Sequence, residues 1–103
     1  MGVRTRSNVP TASNQYGLSI STTAVSLTVP RAGMAGEIYV RTGSGSIVFK
    51  RDAGTPTATE GFQADPGDII VLNSRAELDN FRAVRQGGTD GTVDVEYFTD
   101  ISG

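Results

Sequence analysis

Between Tyr16 and Phe98 the apolar residues recur at every second position in short runs, and most runs close on Gly, Pro, Asn or Asp. Period two is the repeat of a strand with one face in a core and the other in water. Residues 24–29 alternate Val25, Leu27 and Val29 with Ser26 and Thr28. Residues 37–42 put Ile38 and Val40 on one face and Glu37, Tyr39 and Arg41 on the other. Residues 92–98 set Val93, Val95 and Tyr97 against Asp94 and Glu96. Residues 16–21 read alike, with Tyr16, Leu18 and Ile20 sharing a face. Seven or eight such strands, with turn signals roughly every 8–12 residues, predict an all-β chain: a small antiparallel β-sandwich, jelly-roll-like.

The connections carry their own signals. Gly43-Ser44-Gly45-Ser46 predicts a hairpin between residues 37–42 and 47–51, and Asp90-Gly91 predicts another before the last strand. In that second hairpin Arg82 is the expected cross-strand partner of Asp94 or Glu96. Asp65-Pro66-Gly67-Asp68 is a type II turn, with Pro setting φ at the second position and Gly accepting positive φ at the third. The uninterrupted Ile69-Ile70-Val71-Leu72 that follows predicts a strand buried on both faces or covered by its neighbours. Only residues 73–80 suit a helical turn, capped by Asn73 or Ser74, with Glu77 completing a capping box.

Residues 1–15 are polar and aperiodic, and are expected to form an extended N-terminal arm. Residues 16–103 then make a single β-sandwich domain, which suits a chain of 103 residues. The start of the chain has basic residues without an apolar stretch behind them and is not read as a secretory signal. No apolar run approaches the roughly 18 residues of a membrane span, so no membrane partner is expected. A net charge of -2 disfavours nucleic acid. An OB-like barrel fits the strand spacing too, but the basic groove and repeated aromatics of single-strand binding are missing.

Chemistry is constrained by composition, because the chain has no His, no Cys and no Trp. That excludes thiol nucleophiles, disulfides, His–Cys zinc sites and a Ser-His-Asp triad, and it removes the usual ligands of a cupin-like metal barrel. Carboxylate pairs remain: Asp94 with Glu96, Asp65 with Asp68, Glu77 with Asp79. None stands in an apolar setting that would raise one pKa for acid–base work. Asp52, Asp65, Asp68 and Asp90 lie in or beside loops, as calcium ligands do, yet lack the spacing of a calcium loop and suit ordinary turns. No catalytic residue, cofactor or metal is therefore assigned. The residues offered to a partner are Arg4 and Arg6 in the arm, and Tyr39, Arg41 and Phe98 opposite their strands' apolar rows. The two aromatics also suit carbohydrate recognition, but without Trp a sugar platform is the weaker reading.

In residues 24–30, 36–42, 47–50, 64–69 and 91–98 the chain resembles the small all-β head decoration, or cement, proteins encoded beside the capsid genes of tailed bacteriophages. The resemblance spans most of residues 16–98 and contains no catalytic motif. It implies a non-enzymatic virion structural protein on the outer capsid surface, with the major capsid protein as partner, and a homo-oligomer, dimer or trimer. The arm would lie along the shell. A carbohydrate- or receptor-binding module of a tail or fibre is the alternative.

Overall fold

The structure is a computed structural model, which describes the backbone of residues 7–10 and 13–101, and side chains over residues 13–99. Among the described residues nine strands form two antiparallel sheets: β1 (Ser7–Pro10), β2 (Gln15–Ile20), β3 (Val25–Ser26), β4 (Ala35–Val40), β5 (Ile47–Lys50), β6 (Phe62–Ala64), β7 (Ile69–Leu72), β8 (Arg82–Arg85) and β9 (Gly91–Ile101). One short helix, α1 (Arg75–Asn80), follows β7. The first sheet runs β2-β9-β4-β7, with β1 continuing the line of β2 along β9, and the second runs β3-β8-β5-β6. From β2 onward this is the strand order of a jelly roll, the small all-β sandwich expected.

The alternation of apolar residues decides which side chains face inward. Ile38, Val40, Val93, Val95 and Tyr97 of the first sheet meet Ile47, Phe49 and Ala83 of the second in one core. Phe81, just before β8, stacks on Phe49 at 5.6 Å between ring centroids. The helix is capped as the sequence predicts, with the Ser74 hydroxyl accepting from the Glu77 amide. It buries Leu78 and, through Arg75 Nη1, ties down the carbonyls of Pro30, Arg31 and Gly33. The turn at residues 65–68 forms too: the Asp68 amide donates to the Asp65 carbonyl at 2.9 Å, and Gly67 has φ +96.

Both predicted hairpins are absent. Strand β4 lies in the first sheet and β5 in the second, and β8 and β9 are likewise split, so each loop crosses the sandwich. The two crossing loops stack, with the Gly45 amide donating to the Asp90 carbonyl and the Gln86 amide to that of Ser46. Arg82 consequently never faces Asp94 or Glu96; its guanidinium donates to the Ala53 carbonyl. Strand β3 is shorter than the alternation of residues 24–29 suggests, although Val25, Leu27 and Val29 do pack on the core.

The segment read as an arm divides. Gln15 already belongs to β2, and its Oε1 accepts from the Tyr97 hydroxyl and from the Thr28 amide. Strand β1 pairs with the far end of β9, Ser7 opposite Ile101 and Pro10 opposite Phe98. Because β4 starts at Ala35, opposite Phe98, the last three residues of β9 pair only with β1, as a two-stranded ribbon beyond the body.

Candidate functional site

The outer faces of the two sheets are treated differently by the chain. On the second sheet Val48 and Val84 point away from the core yet are buried. Residues 51–61 fold over them, with Pro56 buried in the layer and a Lys50–Glu60 ion pair of 3.2 Å holding the loop down. On the first sheet no described residue covers the outer face. Strand register places Val71, Glu37 and Glu96 in one row across it, and Ile69, Tyr39 and Asp94 in the next.

Tyr16 joins this face through a β-bulge. Gln15 pairs with Val95 and Leu18 with Val93, so Tyr16 and Gly17 together oppose Asp94. Gly17 takes φ +73, a conformation strained for any residue with a Cβ. The extra residue reverses the side-chain alternation, because a one-residue slip exchanges the two faces. Tyr16, expected beside Leu18 and Ile20, is therefore 70% exposed on the opposite side.

Asp94 fastens three strands together here. Its carboxylate accepts from Arg41 Nε and Nη2 of the segment continuing β4, at 2.8–3.1 Å, and from the Gly17 amide of β2 at 2.9 Å. The Arg41 hydrogen bond holds this carboxyl below the usual carboxylate range; partial desolvation opposes it, and the Gly17 amide adds to it. A depressed pKa stabilises the fold above the unfolded-state value of about 3.9, and that contribution is lost as pH falls through the folded-state value. Asp94→Asn keeps an acceptor for Gly17 but removes the ion pair, which is partly exposed to solvent. Its melting temperature is expected about 3 °C below that of the parent at pH 7. The difference should shrink as pH falls below the ordinary carboxylate range and vanish once the parent carboxyl is itself protonated. Thermal melts of the two proteins at successively lower pH check this.

The rest of the face holds unmatched chemistry. Glu37 and Glu96 are directly opposite each other on neighbouring strands, an arrangement that costs stability unless a cation lies between them. Among the described residues neither makes an ion pair. A shallow hollow of about 200 Å³ lies between them and Tyr16, Tyr39, Ile69 and Asp94. Around the edge strand β7 the apolar surface continues. Ile70 and Leu72 are buried, but Ile69 is 59% and Val71 46% exposed, so the apolar run is covered on one face only. Beyond them, between β7 and β6, the sandwich is open along a groove of about 410 Å³, where Phe62 stands 63% exposed against Phe49.

The sequence-assigned partner residues are distributed unevenly over this surface. Tyr39 and Arg41 are on it, with Arg41 committed to Asp94. Phe98 shares the face by alternation but is half-buried, four residues of β9 from Asp94 or about 13 Å along the strand. Arg4 and Arg6 lie outside the described residues. Tyr16, Phe62, Ile69 and Val71 were not singled out by the sequence. Gly17 inside an alternating run is a bulge signal that bears on Tyr16, whereas an unbroken apolar run does not say which face stays bare.

The loop aspartates serve turns and caps. Asp52 accepts from the Gly54 amide, Asp68 from the Asp65 amide, and Asp90 pairs with Arg85 at 2.7 Å. Hydrogen bonds from Gln63 and then Ser46 hold the Asp65 carboxyl below its ordinary range. Among the described residues no three His, Cys, Asp or Glu side chains come together as a metal site, and no helix is long and apolar enough to cross a membrane. Comparison with protein-family models, curated proteins and solved structures gives no match to this chain.

Proposed function

We propose that this chain is a non-enzymatic structural protein of a virion, docking on the outer capsid and stabilising contacts between shell subunits. The observation that carries this reading is the placement of exposed apolar side chains. Of the six large ones exposed among the described residues, Tyr16, Tyr39, Phe62, Ile69 and Val71 gather on the outer face of the first sheet and around its β7 edge. Exposed apolar surface of this kind, rimmed by charge, marks protein-binding sites. The Glu37–Glu96 pair suits an Arg or Lys from the major capsid protein, desolvated between the two tyrosines. Binding only the assembled shell stabilises that shell by mass action.

Co-sedimentation with purified particles tests this. The chain should pellet with capsids, and Glu37→Arg combined with Tyr39→Ser should weaken that binding by about 100-fold, an amount typical of losing an interfacial charge and an aromatic anchor. Particles depleted of the chain should rupture at lower temperature. No co-sedimentation, or equal rupture temperatures, sinks the cement reading. One observation favours a second reading, a carbohydrate- or receptor-binding module of a tail or fibre: Tyr16 and Tyr39 line a hollow together with the carboxylates of Glu37, Asp94 and Glu96, chemistry that suits stacking on and hydrogen bonding to a sugar. Glycan binding abolished by Tyr39→Ser, with no affinity for capsids, is the result expected on that reading.

A further inference from the structure

We infer that the free edge of β7 is a self-pairing surface, through which two copies of this chain join their first sheets across a two-fold axis. The inference goes beyond the capsid reading: it gives Ile69 and Val71 to a second copy and leaves Tyr16, Tyr39 and the Glu37–Glu96 pair as the face open to another partner.

It rests first on how the sheet edges are finished. An unpaired strand edge is a template for another strand, and proteins blunt such edges with bulges, prolines, charges or brevity. Among the described residues three of the four edge positions are blunted. Strand β2 carries the Gly17 bulge, and β1, in line with it, ends on Pro10, which has no N–H to offer. In the second sheet β3 is two residues long and β6 three. Among the described residues only β7 is left open, and its four residues, Ile69-Ile70-Val71-Leu72, include no charge, proline or glycine.

The backbone pattern of β7 matches a second copy of itself. The Val40 amide donates to the Asp68 carbonyl, so along this ladder the hydrogen-bonded partners of β4 are Asp68, Ile70 and Leu72. The amides and carbonyls of Ile69 and Val71 therefore point outward from the sheet edge. A two-fold axis at Ile70 brings Ile69 of each copy opposite Val71 of the other. Each such pair exchanges two hydrogen bonds, and the outer faces of both sheets stay on the same side. Within β7 this register alone uses both outward residues: an axis at Ile69 or at Val71 pairs only that residue with itself, and an axis between two residues puts inner-face residues opposite outer-face ones.

Side chains and charges agree with that axis. Ile69 and Val71, the exposed residues of the strand, would cover each other. The groove beside β7 is polar in the literal sense: Asp68 stands at its turn end, and Arg51 at the Phe62 end, with its guanidinium 5.9 Å from the centre of the Phe49 ring. Antiparallel pairing sets the acidic end of one groove beside the basic end of the other. Among the described residues neither Arg51 nor Asp68 has an ion-pair partner within its own chain. This is an isologous contact, one patch meeting itself, and it closes at two copies.

Sedimentation equilibrium of the full chain, run from about 1 to 100 μM so as to span micromolar affinity, reads the state directly. A dimer is expected. Ile69→Lys with Val71→Lys should give a monomer of unchanged circular dichroism, since both side chains are exposed in the single copy. Val71→Pro should do the same, because its outward N–H bonds to nothing among the described residues. Arg51→Glu should weaken the dimer by about tenfold, as expected for a like-charge contact at an interface rim. Amide exchange supplies an independent readout: Ile69 and Val71 should gain protection as concentration rises, while Ile70 and Leu72 are protected throughout. A monomer at all these concentrations, a trimer, or a dimer that survives both the lysine pair and Val71→Pro would overturn the inference. Loss of dimerisation with capsid binding retained would leave the proposed function standing, and the reverse result would remove that function alone.

Discussion

Tyr97→Ala is expected to cost about 4 kcal/mol, the usual loss for emptying a large aromatic site in a core. For a chain of this length that lowers the melting temperature by about 20 °C, and it leaves only about 1 kcal/mol where stability starts at the low end of the ordinary range. Tyr97 is fully buried at the middle of β9, the strand that both β4 and β2 pair with. Its ring fills the core, its amide donates to Asn14 Oδ1 at 3.0 Å, and its hydroxyl donates to Gln15 Oε1. Tyr97→Phe separates these roles. It keeps the ring and loses one hydrogen bond, at about 1 kcal/mol, while Gln15 retains the Thr28 amide as a donor.

The same residue sets an alkaline limit. Burial pushes the Tyr97 hydroxyl up to about 12, from an ordinary value of 10.0. The folded state thus favours the neutral phenol, and this contribution is complete below about pH 10 and lost as pH rises toward 12, where it amounts to about 2 kcal/mol. Denaturant melts between pH 8 and 12 should show this extra loss in the parent and not in Tyr97→Phe. Equal slopes in the two proteins would mean that the hydroxyl ionises without opening the fold.

Gly45→Ala is expected to cost about 2–3 kcal/mol, in the upper part of the range for forced overpacking. A Cβ at this position would sit well inside van der Waals contact with the Thr89 carbonyl, with the Asp90 carbonyl a further 3.3 Å neighbour. Both are backbone atoms of the other crossing loop and cannot rotate away. The added methyl group must separate the loops, breaking the bonds from Gly45 to Asp90 and from Gln86 to Ser46. Gly87→Ala in the same pair of loops meets nothing within 4 Å and should change stability by less than about 0.5 kcal/mol. Urea melts of the two variants make the comparison. Equal stabilities would show that the loops do not pack as described.

Gly45 also shows why the strand pairing was misread in the sequence. A glycine-rich segment between two alternating runs has the same local chemistry whether the chain turns back within one sheet or crosses to the other. Residues 43–46 and 87–91 look like hairpin turns because the residues that permit a tight turn also permit two loops to touch. The choice is made by partners far along the chain: β4 pairs with β9, some sixty residues away, and β5 with β8. The error moved Arg82 to the wrong sheet and hid the pairing of Arg41 with Asp94.

Inward and outward positions were legible from the start, because side-chain direction in an extended strand follows the backbone itself. Ile38, Val40, Val93, Val95 and Tyr97 face the core as their spacing says. The residues 65–68 turn and the Ser74 cap were legible too, since each is satisfied by bonds within a few residues. The candidate site was not. Tyr16 reached the outer face through a bulge whose extra residue is counted only against β9. Ile69 and Val71 stayed exposed because the covering loop of residues 51–61 folds over the other sheet. Hydrophobic alternation assigns each residue a side, through local geometry and its own affinity for water. Which side remains bare, and which edge remains open, depends on how distant segments share the surface, and that was decided only when the two sheets closed on each other.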